Sequence, residues 1–274
     1  MLPQVPALSL QQRNNVNVFG SGPATMFFAH GFGCDQNMWR LLAPAYATRY
    51  RTVLFDLVGS GKSELSAYDR DKYSSLHGYA TDVVELVEEF GQGPSIFVGH
   101  SVSAMIGALA DLQASKSFAA QIMISPSPCY INDGDYLGGF TRKDIDELLQ
   151  TLESNYLGWS SNIAPVIMGA PGQPQLTAEL TNSFCRTDPE IAKQFARVTF
   201  ISDVRAEVAN LKTPALIVQC DDDVIAPVSV GKYLHGLLRN STLAIIENIG
   251  HCPHLSSPGS IAAAIDAFLA KEHL

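Results

Sequence analysis

The sequence predicts an α/β fold, a mostly parallel sheet flanked by helices and interrupted by an all-helical insertion. Three observations predict it. Short apolar, β-prone runs alternate with helix-compatible segments through the first part of the chain, the pattern of a parallel sheet covered on both faces. The alternation stops after Ile124, and four helix-like pieces follow to about Phe200. It then resumes at Ala215 and continues to the end. The chain therefore divides into a first core part (1–125), a helical insertion (126–200) and a second core part (201–274).

At 274 residues, with 46% hydrophobic and 16% charged residues, the chain can bury a sizeable core. Its net charge of −9 argues against nucleic acid and against an anionic membrane surface as partners. No apolar run reaches the ~18 residues of a membrane span. The N-terminal residues lack the basic and apolar regions of a signal peptide. The cysteines (Cys34, Cys129, Cys185, Cys220, Cys252) are odd in number and show no C-x-x-C spacing, which points to a reducing, cytoplasmic setting.

A short β-prone piece at Val16–Phe19 precedes Thr25–Ala29, a continuous apolar run expected of a strand buried on both faces. A short helix is expected from Asn37 to Tyr46, then a strand at Arg51–Asp56. Tyr79, Val83, Leu86, Val87 and Phe90 give helical spacing within Leu76–Phe90. Strands follow at Ser95–Val98 and Gln121–Ile124, with a helix between them. In the insertion, Thr141 caps a helix bearing Ile145, Leu148, Leu149 and Leu152. Further pieces span Asn155–Ile167 and Thr177–Phe184, and Asp188-Pro189-Glu190 starts a helix to about Phe200. The second core part gives strands at Ala215–Gln219 and Leu243–Ile246, and helices at Val228–Leu238 and Ser260–Leu269.

Ligands of doubly wound sheets sit at the carboxyl ends of the strands. Four chemically useful groups fall just past four such ends. The His30-Gly31-Phe32 loop follows Thr25–Ala29, and Ser101 follows Ser95–Val98 at the apex of Gly99-His100-Ser101-Val102-Ser103. That stretch matches the G-x-S-x-G elbow except for Ser103 at the last position. Three adjacent aspartates, Asp221, Asp222 and Asp223, follow Ala215–Gln219, and His251 follows Leu243–Ile246. Serine needs a base to become nucleophilic, histidine has a suitable pKa, and an acid fixes the histidine tautomer. A tetrahedral oxyanion then needs preorganised donors, for which the Val102 and Phe32 N–H groups are placed.

Other motifs carry less. Gly59-Ser60-Gly61-Lys62-Ser63 lacks the leading glycine of a phosphate loop, because Asp56 stands there. His251 and His254 lack the glutamate of a zinc-binding helix, so no metal and no cofactor is expected. His100 reads as packing, and His30 as an organiser of its loop. Cys129 and Cys252 are candidates to border a pocket. Phe140, Trp159, Phe184, Phe195 and Phe200, with Phe32 and Ile225 from core loops, are candidates to line an apolar substrate cavity. No convergent arginine or lysine demands an anionic ligand.

The chain resembles the α/β-hydrolase superfamily over its whole length, and within it the group of the bacterial stress regulator RsbQ and the plant strigolactone and karrikin receptors. The resemblance rests on His30-Gly31-Phe32-Gly33-Cys34-Asp35-Gln36-Asn37-Met38-Trp39, Asp56-Leu57-Val58-Gly59-Ser60-Gly61 and Gly99-His100-Ser101-Val102. It continues through Ser125-Pro126-Ser127-Pro128-Cys129-Tyr130, Gly138-Gly139-Phe140, Asp223-Val224-Ile225-Ala226-Pro227 and Gly250-His251-Cys252-Pro253-His254. It implies a triad of Ser101, Asp223 and His251, selecting Asp223 among the three aspartates. It also implies oxyanion donors at Phe32 and Val102, and a four-helix lid over an apolar pocket. Serine at position 103 matches the plant receptors. The expected activity is hydrolysis of small, largely apolar esters or lactones through an acyl-enzyme. The alternative implied is a signalling hydrolase that senses a small hydrophobic molecule and engages a regulatory protein partner.

Overall fold

The computed structural model describes residues 8–114 and 116–274. Seven strands, β1 (Asn17–Phe19), β2 (Thr25–Ala29), β3 (Arg51–Phe55), β4 (Ser95–His100), β5 (Phe118–Ile124), β6 (Ala215–Asp222) and β7 (Ser241–Ile249), form one sheet. Their order is β1-β3-β2-β4-β5-β6-β7. The pairing of β1 with β3 is antiparallel and the rest are parallel. Alternate residues of the central strands serve opposite faces, which is why these runs are apolar throughout. Met26, Phe28, Ile96, Val98, Ile122 and Ile124 pack with Trp39, Tyr46 and the C-terminal helix at Pro258–Lys271. Phe27, Ala29, Val53, Phe55 and Phe97 face the other way. They meet Tyr79, Val83 and Leu86 of α1 (Leu76–Phe90) and Met105 and Leu109 of α2 (Val102–Gln113).

Between β5 and β6 the chain leaves the sheet for four helices, α3 (Arg142–Ser154), α4 (Tyr156–Met168), α5 (Pro174–Arg186) and α6 (Pro189–Ile201). Their starts follow the sequence signals. Thr141 and Asp144 exchange hydrogen bonds in a capping box, and the Asp188 carboxylate accepts from the Glu190 and Ile191 N–H groups. The third helix begins earlier than Thr177 because Pro174 is well suited to a first turn. After the insertion come α7 (Val228–Leu237) and α8 (Pro258–Lys271).

One expected element differs. Instead of a single helix over Asn37–Tyr46 there are two 3-10 turns, Gln36–Trp39 and Ala43–Tyr46. Pro44 cannot donate to the preceding turn, and its ring crowds the carbonyl four residues back, so a continuous helix is interrupted there. The turns still seat Trp39 and Tyr46 in the core.

Several contacts hold the insertion to the core. Arg40 forms a bidentate pair with Glu179 at 2.6 Å, Arg186 reaches Asp35 at 3.2 Å, and the Ser183 hydroxyl donates to the Gly33 carbonyl at 2.8 Å. The Arg40–Glu179 pair is largely exposed, as is the Arg186 end of its pair with the buried Asp35, so these pairs contribute little. The main attachment is aromatic. The Phe32 ring lies 5.7–6.1 Å, centroid to centroid, from Trp159, Phe184, Phe195 and Phe200. A single core-loop ring thus meets four rings from three insertion helices.

Candidate active site

Ser101 sits where β4 turns sharply into α2. Its backbone has φ 56° and ψ −125°, a region that costs a non-glycine residue about 1–3 kcal/mol. The Ser101 N–H donates to the Ile124 carbonyl at 2.8 Å, which holds the turn against β5. The strain turns the serine side chain away from its own strand and brings its Oγ 2.8 Å from Nε2 of His251. The other ring nitrogen, Nδ1, lies 2.7 Å from Oδ2 of Asp223. With Nδ1–H donating to the carboxylate, Nε2 is left to accept the serine proton. All three residues are buried, each at most 5% exposed, so this line of hydrogen bonds is shielded from water.

Each partner is fixed in turn. The free oxygen of Asp223, Oδ1, accepts from the N–H groups of Ile225 and Ala226 at 2.8 and 3.1 Å. The His251 N–H donates to the Ile167 carbonyl near the end of α4 at 2.7 Å, so the insertion helps seat this histidine. The approach is tight. Gly250 has φ +105°, and a Cβ there would stand 2.0 Å from the Met168 carbonyl oxygen. The His251 carbonyl in turn accepts from Nε2 of His100 at 2.8 Å.

The loop after β2 runs beside the serine. A Cβ on Gly31 would lie 3.3 Å from Ser101 Cβ. His30 braces this loop, donating from Nδ1 to the Gly31 carbonyl at 2.8 Å and accepting the Leu57 N–H at Nε2, 3.1 Å away. The Ser103 hydroxyl donates to the His30 carbonyl. Among the described residues the Phe32 N–H meets no acceptor, and the Val102 N–H is one of the free donors at the start of α2.

The alpha/beta hydrolase family profile matches residues 26–264. The chain belongs to the alpha/beta hydrolase family. It is 39% identical over 250 residues to the karrikin insensitive 2 receptor CA of Petunia hybrida, covering 91% of this chain and 93% of that protein. It is 36% identical over 249 residues to the strigolactone esterase D14 of Arabidopsis thaliana, covering 90% and 93%. A solved hydrolase from Oleispira antarctica superimposes with a TM-score of 0.91 at 41% identity, covering 95% of this chain and 96% of that one.

In this hydrolase the cavity over Ser101 is small, about 30 Å³. Of the expected lining residues, Phe184, Phe200 and Ile225 border it, together with Phe32. Trp159 and Phe195 do not. Trp159 stacks on Phe184, and Phe195 lies tilted against Tyr79, one layer outward, where each packs against the Phe32 ring. Phe140 is also off the cavity, half-buried and bridged to Ile131. Large aromatic rings at helical spacing fill the space between helices before they reach a ligand.

Sequence reasoning missed several lining residues, including Ile167, Leu180, Cys34, Tyr130 and Thr199. The Tyr130 hydroxyl stands 3.3 Å from Ser101 Oγ. Burial pushes its pKa up to about 12, so it remains a donor. Its only sequence signal is its place in the Ser125–Tyr130 loop after β5. Cys252 borders the cavity as expected, whereas Cys129 does not. Burial pushes the Cys34 and Cys252 thiols up, so neither is an activated thiolate. Among the described residues no cluster of three or more His, Cys, Asp or Glu side chains could hold a metal ion, and no helix is long and apolar enough to cross a membrane.

Proposed function

We propose that this chain is a serine carboxylic-ester hydrolase acting on small, largely apolar esters or lactones. The Ser101–His251–Asp223 line, at 2.8 and 2.7 Å, opens on a cavity bordered by no Asp, Glu, Lys or Arg side chain, and this observation carries the reading. In the reaction Ser101 Oγ attacks the ester carbonyl carbon while its proton passes to His251 Nε2. Asp223 stabilises the imidazolium, and the Phe32 and Val102 N–H groups hold the oxyanion. The intermediate collapses, the C–O bond to the alcohol breaks, and His251 returns the proton to the leaving alkoxide. Water, deprotonated by His251 Nε2, attacks the acyl carbon; the bond to Ser101 Oγ breaks, His251 returns the proton to Oγ, and the carboxylic acid leaves. These steps need no cofactor. We take residues 126–200 as the lid over this site, with Phe184 and Phe200 facing the substrate and Trp159, Phe195 and Phe140 behind. The free state of the cysteines supports a cytoplasmic setting.

The test is turnover of p-nitrophenyl esters of graded acyl length beside Ser101→Ala, with fluorophosphonate labelling. Hydrolysis of short esters, lost in the variant, supports the reading. A wild type that turns over no ester and takes no label sinks it.

A second reading is favoured by the receptor names among the relatives and by the narrowness of the cavity. Here the same site senses a small hydrophobic molecule, and the chain engages a regulatory protein partner. Slow turnover together with ligand-dependent capture of that partner distinguishes it from a metabolic esterase.

A further inference from the structure

The cavity over Ser101 contains a hydroxyl that the hydrolytic steps do not use. Thr199, on α6, borders the cavity with Phe184, Phe200 and Ile225 and is 1% exposed. Its Oγ1 has no hydrogen-bond partner among the described residues. A threonine inside a helix ordinarily satisfies its hydroxyl by donating to the carbonyl four residues earlier. Thr81, Thr151 and Thr181 all do so in this chain, at 3.0, 2.8 and 2.9 Å, and so do Ser160 and Ser161. Thr199 has the Phe195 carbonyl in the same position and does not use it. Valine would fill this site with nearly the same shape and leave no polar group buried in an apolar wall.

Among the described residues the other cavity-bordering side chain with an orphan polar atom is His100, through Nδ1. That atom is covered, because a Cβ on Gly31 would lie 2.7 Å from it. Tyr130 is occupied by Ser101 Oγ. Among the described residues Thr199 therefore carries the one unpaired hydroxyl of this cavity wall, and it belongs to the insertion while the reacting groups belong to the core.

We propose that the Thr199 hydroxyl is a second polar anchor for the substrate, and that the preferred substrates are small neutral esters or lactones bearing a second oxygen acceptor away from the scissile carbonyl. The hydroxyl donates to that ether, carbonyl or hydroxyl oxygen. An analogue with a methylene in its place leaves the donor unpaired and is discriminated against. This rests on the esterase reading, deepening it from an apolar ester to an oxygenated one.

The experiment compares two isosteric pairs, p-nitrophenyl methoxyacetate with p-nitrophenyl butyrate, and 2-methoxyethyl acetate with butyl acetate. Each pair gives a ratio of kcat/KM for wild type, Thr199→Val and Thr199→Ser. Taking ratios within one variant cancels general losses of activity. For at least one pair, Thr199→Val is expected to lower the ratio about tenfold, while Thr199→Ser holds it within about twofold. The same pairs are titrated calorimetrically into Ser101→Ala and into Ser101→Ala with Thr199→Val, which reads the preference without turnover. Absence of hydrolysis would then sink the esterase reading while binding still decides the role of Thr199. Thr199→Val should also raise the Tm of the ligand-free protein, because it removes an unpaired buried hydroxyl. The proposal is overturned if both ratios stay within twofold of wild type in Thr199→Val, or if its Tm falls.

Discussion

The Ser103 hydroxyl donates to the carbonyl oxygen of His30, joining the helix that follows Ser101 to the loop that carries the Phe32 N–H. Serine at this position is thus more than a small residue tolerated at a close contact. It ties together the two elements that bear the proposed oxyanion donors, the Phe32 and Val102 N–H groups. Ser103→Ala should release the loop and lower kcat about 10-fold to 100-fold, because small displacements of donors are expensive in the transition state. Steady-state kinetics on a short p-nitrophenyl ester, beside an unchanged circular dichroism spectrum, checks this. A kcat within twofold of wild type would show the tether to be dispensable.

Asp223 holds His251 in one tautomer through Oδ2 while two backbone N–H groups fill its other oxygen. Asp223→Asn keeps the shape but loses the charge that stabilises the imidazolium. A loss in kcat on the order of 10⁴ is expected. Asp221→Asn and Asp222→Asn should each stay within about threefold, since neither carboxylate faces the histidine. Ester turnover by the three variants measures the contrast.

Gly33 has φ +70°, and a Cβ there would stand 2.1 Å from the Phe184 ring. Gly33→Ala therefore strains the backbone and pushes an insertion helix away from the Phe32 loop. A destabilisation of about 2–4 kcal/mol is expected, measured by urea unfolding. Phe184→Leu in the same background should recover part of the loss by making room for the methyl group.

His254 is fully buried, its ring tilted against Trp39 and His100 with centroids 4.7 and 4.3 Å away, and among the described residues neither of its ring nitrogens has a partner. Burial holds its pKa down to about 3, and His100 is lowered as well. In the unfolded chain each titrates near 6.5. Above that pH both states are neutral and the full stability is present. As pH falls from about 6.5 toward 3 the unfolded state binds the proton first. Stability then drops by about 1.4 kcal/mol per pH unit for each histidine. His254→Met should remove one proton from that slope. Urea unfolding at pH 7, 6 and 5 reads it, and an unchanged slope would reject His254 as the titrating group.

Much of the molecule was legible in the chain. The apolar runs at Thr25–Ala29 and Ser95–Val98 read as strands because both their faces are buried. Thr141 and Asp188 marked helix starts because a side-chain acceptor there satisfies otherwise free N–H groups. The cavity wall was less legible. Which aromatics face a ligand depends on how helices from distant parts of the chain meet. Trp159 and Phe195 therefore turned into the packing around Phe32 instead.

By itself the sequence determined the order of elements, the site at the strand ends and the three residue types that meet there. Its residues put Asp223 in the orienting role but left Asp221 and Asp222, a residue or two away, as alternatives. Tertiary structure decided among them. A register shift where β6 pairs with β7, between Cys220 and Asp222, sets which side chain points where. Asp221 accepts the Asn248 N–H, Asp222 stays in the strand and exposed, and Asp223 turns inward to His251. In a strand a slip of one residue reverses every side chain, so the choice lies in the pairing with a neighbour and not in local sequence. The same holds for Thr199, whose unpaired hydroxyl becomes visible once α6 is laid against Ser101.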